Sequence, residues 1–364
     1  MQIPKIQFPK ILPKKFLGID IGTSAIKIVE LSSFAGRIKL ENYGEVLAKV
    51  LYQKPFRTFE KSTLLLSSEE ISRAIKAILE EAKIKTENCF FSIPDFATFF
   101  TTFELPGMTA EELPQAVEAE ARKQVPMPLR EVTLDWQLIE GKASDKKDTK
   151  LKILLAVVPN EIISQYQEIA ALSNLKLLAL ETEIFGLIRS LIEKEEKRII
   201  GLIDIGARTT ICSIIENRIL KVSHSFDLSG DDLTERIAKG LSLTEEIAEN
   251  FKKKYGILIP QPSLEEKDIQ EILLPLIDII FRESEKIFKN FYLKEGKEID
   301  RIILAGGTAF LPGILEYFQD YFKKDIGIAN PFSKTFYPPI LEKTLKEMGP
   351  SYAIAVGMAL RGFE

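Results

Sequence analysis

Residues 16–31 read FLGIDIGTSAIKIVEL, and residues 199–215 read IIGLIDIGARTTICSII. Each stretch is an apolar, β-rich run that is interrupted by Asp-Ile-Gly, with a threonine close behind and a second apolar run after it. The two turns begin at Asp20 and Asp204, about half the chain apart. A strand-end Asp-x-Gly is a common turn on its own, but the matching contexts predict a duplicated unit with one such hairpin in each half.

Hairpins of this composition suit phosphate binding. Glycine lets backbone N–H groups approach phosphate oxygens, and threonine and serine hydroxyls can bind the same oxygens. Carboxylates are not expected in an anion site, so Asp20 and Asp204 predict a divalent cation, Mg²⁺ bound through water, between them and the phosphates. Two hairpins that face each other across a cleft would hold a nucleotide phosphate tail from both sides.

A third motif is ILAGGTAFLPGI at residues 303–314. Gly306 and Gly307 follow an apolar strand and precede a helix with Pro312 near its first turn. The pair predicts backbone that can lie flat against a sugar or a base. A tight β–α turn without a ligand is the alternative interpretation.

Bulk composition excludes several classes of protein. The 364 residues are 45% hydrophobic and 28% charged with a net charge of −4, which is typical of a globular protein with two or more cores. A nucleic-acid-binding surface would usually show as an excess of basic residues, and this chain has none. Cys89 and Cys212 lack CxxC spacing, which argues against a disulfide framework or zinc site and favours a reducing compartment. The single histidine, His224, is expected to be structural or on the surface.

The first 15 residues predict a basic, flexible leader with four lysines and no acid. Prolines and lysines interrupt its apolar runs, so it does not resemble a signal peptide. A weak attraction to anionic lipid stays open. No later stretch supplies the roughly 20 uncharged apolar residues of a membrane span, and we expect a cytoplasmic protein.

The alternation of strands and helices in both halves predicts an α/β fold. The three motifs together resemble those of the actin, Hsp70 and sugar-kinase superfamily. DIGTSAIK (20–27) is similar to its first phosphate motif, DIGARTT (204–210) to its second, and LAGGTAFLPGI (304–314) to its adenosine motif. The resemblance implies an actin-like fold, that is, a duplicated, ribonuclease H-like structure of two lobes around an ATP cleft.

The resemblance also implies roles for individual residues. The phosphates would be contacted by Gly22, Thr23, Ser24, Lys27, Gly206, Arg208, Thr209 and Gly230. The nucleoside would be contacted by Glu249, Lys252, Gly306, Gly307 and Thr308. Asp20 and Asp204 would hold Mg²⁺, and Glu183 and Asp204 take the positions that are catalytic in the superfamily.

The second motif departs from the common DIGGGT form because Ala207 and Arg208 replace two glycines. Ala207 adds a Cβ where backbone usually contacts phosphate. Arg208 either supplies positive charge to the γ-phosphate or points to solvent. We therefore expect ATP binding with at most slow hydrolysis.

Residues 103–140, FELPGMTAEELPQAVEAEARKQVPMPLREVTLDWQLIE, resemble the inserted subdomain of the PilM family, FtsA-related actin-like proteins of type IV pilus assembly. The resemblance extends over about residues 16–362. It implies an ATP-binding scaffold, peripheral to the inner membrane, that docks the N-terminal cytoplasmic tail of the membrane protein PilN beside the insert. Such a scaffold would link the inner-membrane platform and motor ATPases of a type IV pilus or a type II secretion system. A packing subdomain without a ligand is the alternative.

The implied division of the chain has five parts. They are a leader (1–15), a first 1A-like lobe (16–85, 175–198 and 335–364), a 1C-like insert (86–174), a second 2A-like lobe (199–229 and 297–334) and a helical 2B-like subdomain (230–296).

An aromatic cluster precedes and enters the insert. Strict alternation fails along it, so aromatic side chains must lie on both faces of its strands. One set belongs to the core, and the other is covered either by a helix or by a partner peptide. The cluster consists of Phe90, Phe91, Phe96, Phe99, Phe100 and Phe103.

Two rival functions stay open. An FtsA-like division protein would self-associate into filaments, and it would pellet with ATP on lipid without any partner. An ATP-dependent small-molecule kinase would release ADP faster when its substrate is present.

Overall fold

The computed structural model describes residues 14–51, 56, 64, 66–143, 150–257 and 264–364. The predicted leader therefore lies outside the described residues, apart from Lys14 and Lys15, which already belong to the first strand. The Lys15 ammonium lies 3.5 Å from the Glu30 carboxylate on the neighbouring strand.

The strands in chain order are β1 (Lys14–Ile21), β2 (Ala25–Phe34), β3 (Arg37–Leu47), β4 (Asn88–Ile93), β5 (Phe99–Pro106), β6 (Val132–Glu140), β7 (Lys150–Pro159), β8 (Lys176–Thr182), β9 (Ile199–Ile205), β10 (Thr210–Glu216), β11 (Ile219–Phe226), β12 (Arg301–Ala305) and β13 (Asp325–Ile328). The α-helices are α1 (Ala48–Leu51), α2 (Ser68–Glu81), α3 (Leu113–Gln124), α4 (Asn160–Leu172), α5 (Glu183–Leu191), α6 (Gly230–Leu241), α7 (Glu245–Tyr255), α8 (Leu264–Glu295), α9 (Ile314–Phe322) and α10 (Glu342–Arg361).

The first lobe is a five-stranded sheet in the order β3-β2-β1-β4-β8. β1, β2 and β3 form an antiparallel meander, and β4 and β8 run parallel to β1. Odd-numbered β1 residues such as Leu17 and Ile19 face a core shared with α2 and α4. Gly18 faces α10, and the helix lies so close that a Cβ there would stand 1.9 Å from the Ala355 carbonyl oxygen.

The second lobe repeats this plan in the order β11-β10-β9-β12-β13. Its first three strands are again antiparallel, and β12 and β13 again run parallel to the first. Helices α6 to α9 pack on one face of the sheet, and α5 packs on the other. The equivalent strand orders show the duplication that the paired hairpins predict.

Helices α5 and α10 cross in close contact. A Cβ on Gly357 would lie 1.9 Å from the Gly186 carbonyl oxygen, so the crossing requires glycine. Ile184 and Leu187 of α5 share one apolar core with Leu202 and Ile303 of the second sheet. The two helices thereby connect the lobes.

A separate three-stranded sheet lies inside the range 86–174 that the sequence predicts for the insert. Its antiparallel sheet, β5-β7-β6, packs with α3 around a core of its own. β4 instead pairs with β1 and β8, and Phe91 of β4 contacts Tyr166 of α4 inside the first lobe, with the ring centroids 6.1 Å apart. Both β4 and α4 therefore belong to the first lobe, and the insert extends over residues 99–159.

The aromatic cluster is part of the packed interior. Phe90 lies against Phe16 with centroids 5.8 Å apart, and Phe100 lies against Phe185 of α5 at 6.4 Å. Phe103 is 8% exposed in the insert core. Aromatic side chains do occupy both faces, and the side chains that cover Phe90, Phe91 and Phe100 come from this chain.

Two helices are preceded by capping interactions. Ser67 and Glu70 form a capping box at the start of α2. Thr109 and Glu112 also exchange the expected hydrogen bonds, but the regular helix α3 begins only at Leu113, and Pro114 occupies its first turn. In the part of the chain that the structure describes, no helix has the length and apolar character needed to cross a bilayer.

Candidate functional site

The first hairpin places a buried carboxylate beside a tight turn. Asp20 ends β1 with 3% of its surface exposed, and the Ser92 hydroxyl donates to its Oδ1 atom at 2.8 Å. The Gly22 N–H donates to the Ala25 carbonyl at 2.9 Å and closes the turn. A Cβ on Gly22 would lie 2.9 Å from that same oxygen, so the turn favours glycine.

Thr23 and Ser24 form the outer part of this turn. Their carbonyl oxygens accept the Phe56 N–H at 2.9 Å and the Ala48 N–H at 2.8 Å. These bonds fix the turn to the segment that follows β3. The turn is thus held in one geometry by backbone contacts on its outer side.

Lys27 lies directly opposite Asp20 in the β1–β2 register, so the two side chains share one face of the sheet. Its Nζ atom is 5.9 Å from the centroid of the Tyr352 ring on α10. Burial, followed by the nearby Glu45 carboxylate, raises the pKa of Tyr352. Tyr352 therefore stays a neutral ring beneath the lysine.

The second hairpin has the same internal bond. The Gly206 N–H donates to the Thr209 carbonyl at 3.0 Å, as Gly22 does to Ala25. Asp204 ends β9 with 8% of its surface exposed, in the position that Asp20 occupies on β1. The two turns are therefore equivalent in backbone geometry as well as in sequence.

The N-terminus of α6 packs against this second hairpin. The Gly230 N–H donates to the Gly206 carbonyl at 3.0 Å, and the Asp231 N–H donates to the Ala207 carbonyl at 2.9 Å. A Cβ on Gly230 would lie 2.6 Å from Thr308 Oγ1, so glycine is required for this contact.

Arg208 lies over the start of α6. Its Nε atom is 3.5 Å from Asp231 Oδ2, and the side chains are 48% and 43% exposed. Burial of the Asp231 carboxyl raises its pKa, while the positive charges of Lys252 and Arg208 oppose the rise. Arg208 therefore has an acidic partner within this chain.

Lys252 and Glu249 form a largely buried pair behind α6. Lys252 Nζ lies 2.6 Å from Glu249 Oε2 and donates at 2.8 Å to the Gly230 carbonyl and to Thr234 Oγ1. Burial lowers the pKa of Lys252, and Glu249 opposes this shift. Burial also raises the pKa of Glu249, but Lys252 and Thr234 outweigh it, so that the pKa falls to about 2. The pair fixes the first turn of α6.

The glycine pair lies where β12 ends beside β9. Gly306 has φ +86°, and a Cβ on it would stand 2.4 Å from the Ile205 carbonyl oxygen and 2.5 Å from Asp204 Oδ1. A Cβ on Gly307 would meet no atom within 4 Å. The Thr308 N–H donates to the Ile205 carbonyl at 3.3 Å. Gly306 is thus required by the fold, whereas Gly307 faces open space.

Glu183 begins α5 and is 2% exposed. Its Oε2 atom accepts the Asp95 N–H at 3.2 Å, and Asp95 Oδ1 accepts the Ile184 N–H at 3.2 Å. Asp95 is absent from the residues that the sequence assigns to the site, as is Ser92. The only sequence signals were a serine inside the apolar run FFSIP and an aspartate after Pro94.

Helix α10 brings the two hairpins to one end of the molecule. The Pro350 carbonyl accepts the Gly306 N–H at 3.0 Å, and Tyr352, two residues further on, lies beneath Lys27. On the outside, Lys49 Nζ of α1 is 3.5 Å from Glu245 Oε2 of α7. Helix α10 therefore contacts both the first hairpin, through Tyr352, and the glycine pair that packs on the second hairpin, through Pro350.

These residues fit a nucleotide with a hydrated cation. Gly22, Gly206 and Gly307 leave the backbone accessible, and Asp20 and Asp204 supply the oxygen ligands that Mg²⁺ prefers. Among the described residues, no three His, Cys, Asp or Glu side chains are grouped closely enough to form a metal cage.

Comparison with known proteins agrees with this geometry. A family model described as "Type IV pilus assembly protein PilM" matches residues 18–363. The cell division protein FtsA of Streptococcus pneumoniae is 22% identical over 362 residues, covering 87% of this chain and 77% of that protein. FtsA of Enterococcus faecalis is also 22% identical, over 87% of this chain and 78% of its own.

Solved structures share the fold. A structure described as a PilM-PilN type IV pilus biogenesis complex matches with a TM-score of 0.82 and 23% identity, covering 96% of this chain and 98% of that one. MreB5 of Spiroplasma citri bound to ADP matches with a TM-score of 0.54 and 16% identity, covering 96% of each chain. These matches confirm the predicted actin-like fold.

Proposed function

From the premise that this chain belongs to the type IV pilus assembly protein PilM family, we propose that it is an ATP-binding scaffold of type IV pilus, or related type II secretion, assembly. The observation that carries the proposal is the pair of equivalent hairpins. In each, a buried aspartate precedes a glycine whose N–H closes the same turn, and α10 contacts both the first hairpin and the glycine pair beside the second. A relative of the same fold has been solved bound to ADP, which supports a nucleotide as the ligand.

In this proposal the phosphates bind hairpin N–H groups other than those of Gly22 and Gly206, which close the turns, with the positive end of the α6 dipole nearby. Asp20 and Asp204 would hold Mg²⁺ through water, and the cation would supply positive charge to the phosphates. Ser92 orients Asp20 by its hydrogen bond. Gly307 leaves room for the nucleoside, while Lys252 and Glu249 support the first turn of α6 from behind.

The scaffold turns over ATP slowly at most. Arg208 pairs with Asp231, an acidic residue of its own lobe. This pairing competes with a contact from Arg208 to the γ-phosphate. Glu183 is fixed by the Asp95 N–H at the start of α5. Such an arrangement favours a stable bound state over rapid hydrolysis.

The partner in this proposal is the N-terminal cytoplasmic tail of PilN, which binds beside the insert. Support comes from the family and from the related complex of PilM with PilN, whose fold this chain shares over 96% of its length. Through that tail the protein would lie at the cytoplasmic side of the inner membrane, next to the platform and the motor ATPases.

Calorimetric titration with Mg-ATP, alone and with a synthetic peptide of the PilN tail, tests the proposal. Wild type should bind one ATP, and Asp20→Ala should weaken binding at least tenfold. Asp320→Ala, which removes an exposed carboxylate on α9, is the matched control and should bind as wild type does. A scrambled peptide controls for sequence-independent binding. Wild-type protein that binds neither ligand would refute the scaffold function.

An FtsA-like filament protein is the second candidate, because the curated relatives are named FtsA. Sedimentation with Mg-ATP and anionic vesicles, without peptide, separates the two. A scaffold stays in the supernatant and binds peptide, whereas a filament protein pellets in an ATP-dependent manner.

A further inference from the structure

The carboxylates of Asp95 and Glu183 are buried, and each accepts a hydrogen bond from the backbone beside the other. The Asp95 N–H donates to Glu183 Oε2, and the Ile184 N–H donates to Asp95 Oδ1, both at 3.2 Å. Asp95 is 5% exposed and Glu183 is 2% exposed. Each carboxylate thus accepts an N–H group at the start of the other's helical turn, where negative charge is favoured.

Glu183 lies at the start of α5, whereas Asp95 lies where the chain enters the insert. Glu183 follows β8 and occupies the position that is catalytic in the superfamily. Asp95 follows β4, the parallel neighbour of β8, with Ile93 opposite Thr182. The 3₁₀ turn Asp95–Ala97 is the segment through which the chain leaves the first lobe and enters the insert.

This entry segment is stiff. The Thr98 N–H donates to the Asp95 carbonyl at 3.0 Å, and Thr98 Oγ1 donates to the Pro94 carbonyl at 3.2 Å. Strand β5 begins at the next residue, Phe99. A displacement of Asp95 is therefore passed to the first strand of the insert without an intervening flexible link.

The other connection of the insert, from β7 to α4, lacks such a link to the cleft. Asn160 there accepts the Thr133 hydroxyl at 2.8 Å and donates to the Arg130 carbonyl at 3.1 Å. All three residues lie in or beside the insert, and these bonds are exposed. The entry segment is bonded to Glu183 through the Asp95 N–H.

We infer that Asp95 is a positioning residue that holds Glu183 and transmits nucleotide occupancy of the cleft to the insert. The inference rests on the proposed ATP site. When the cleft fills, a small shift of the start of α5, which carries Glu183, is passed to the Asp95 side chain through the bond that it accepts from the Ile184 N–H, because a buried hydrogen bond is costly to leave unmade. The entry segment follows, and with it the edge of the insert on which the partner tail would bind.

Hydrogen exchange of the insert, residues 99–159, with and without Mg-ATP tests this role. Four proteins are compared: wild type, Asp95→Ala, Asp95→Asn and Asn160→Ala. Asp95→Ala removes the acceptor for the Ile184 N–H, whereas Asp95→Asn keeps an oxygen acceptor at the same place. Asn160→Ala breaks hydrogen bonds at the connection that is not linked to the cleft.

Mg-ATP should alter exchange in β5 of wild type and of Asn160→Ala by roughly fivefold, the lower end of typical coupling between sites. Asp95→Ala should bind ATP within about tenfold of wild type but lose this response, and Asp95→Asn should regain most of it. Calorimetry on the same samples measures ATP affinity, and thermal unfolding identifies any variant that is not folded.

Three results have distinct meanings. ATP binding with no change in the insert of wild type overturns the inference and leaves the ATP site standing. An equal response in Asp95→Ala and wild type does the same. Absence of ATP binding in wild type refutes the proposed function, and the inference falls with it.

Discussion

A Cβ on Gly306 would stand 2.5 Å from the Oδ1 atom of Asp204, so the glycine turn after β12 is packed directly on the carboxylate that ends β9. The next residue, Gly307, has open space where its side chain would be. Gly306 is therefore required by the fold, whereas Gly307 is not, and substitution tests the proposed role of Gly307 at the nucleoside separately from the fold.

Gly307→Val should leave the fold intact and lower ATP affinity at least tenfold, because its side chain would fill space that the nucleoside needs. Gly306→Val should destabilise the protein itself, since φ +86° is strained for a residue with a Cβ, by about 1–3 kcal/mol before any clash is counted. Thermal unfolding and calorimetric ATP titration of both variants measure the difference. If Gly307→Val bound ATP normally, the nucleoside would have to lie elsewhere.

Ser92→Ala should weaken ATP binding by roughly threefold to tenfold. The serine hydroxyl fixes Asp20 Oδ1 at 2.8 Å, and loss of one hydrogen bond of this kind costs about 1 kcal/mol. Ser284→Ala is the matched control, because Ser284 is also fully buried but donates to Ile280 within α8. Equal ATP affinities for the two variants would show that Ser92 does not orient Asp20 for binding.

Glu249→Gln should flatten the acid limb of the stability profile. The pKa of Glu249 falls from its ordinary 4.5 to about 2 in the folded protein. The unfolded chain therefore binds more protons between these values, and the contribution of Glu249 is fully present above about pH 4.5 and lost as the pH falls toward 2. Urea unfolding at pH 6, 4 and 3 should show the gap between wild type and variant closing with acid.

Glu246→Gln is the control for this experiment, because Glu246 is exposed on the same helix. Its unfolding free energy should follow wild type at every pH. A gap between wild type and Glu249→Gln that stays constant from pH 6 to pH 3 would contradict the assignment of the ionised pair.

The sequence predicts the parts of the site that are local in the chain. Each Asp-Ile-Gly hairpin closes within a few residues, so its turn can be read from Asp20 to Ala25 alone. The contribution of Ser92 depends on β4 pairing with β1 across about 70 residues of chain, which periodicity does not reveal. Asp95 depends on β4 lying beside β8, which is a tertiary contact of the same kind.

The limits of the insert depend on tertiary contacts in the same way. The apolar run of β4 reads equally well as an insert strand or a central strand, and only its pairing decides. Helix α4 likewise has an apolar face whose partner, Phe91 with its neighbours, lies about 75 residues earlier. The Lys252–Glu249 contact, in contrast, follows from i,i+3 spacing on one helix.

The last prediction concerns the attachment of the insert to the second lobe. Lys221 of β11 lies 2.6 Å from Glu140 of the insert and 3.4 Å from Glu216, with only 10% of its side chain exposed. Lys221→Met should lower the free energy of unfolding by about 1 kcal/mol, a modest value because Glu216 retains Lys297 at 2.6 Å.

Lys150→Met is the control, since its pair with Glu104 is exposed and lies within the insert sheet. Urea unfolding in low and high salt should show a loss for Lys221→Met that persists in high salt, because largely buried pairs are screened little, and almost no loss for Lys150→Met. Equal, negligible losses would mean that the apolar contacts of Ile139 and Leu154 with the core of the second lobe hold the insert without help from the ion pairs.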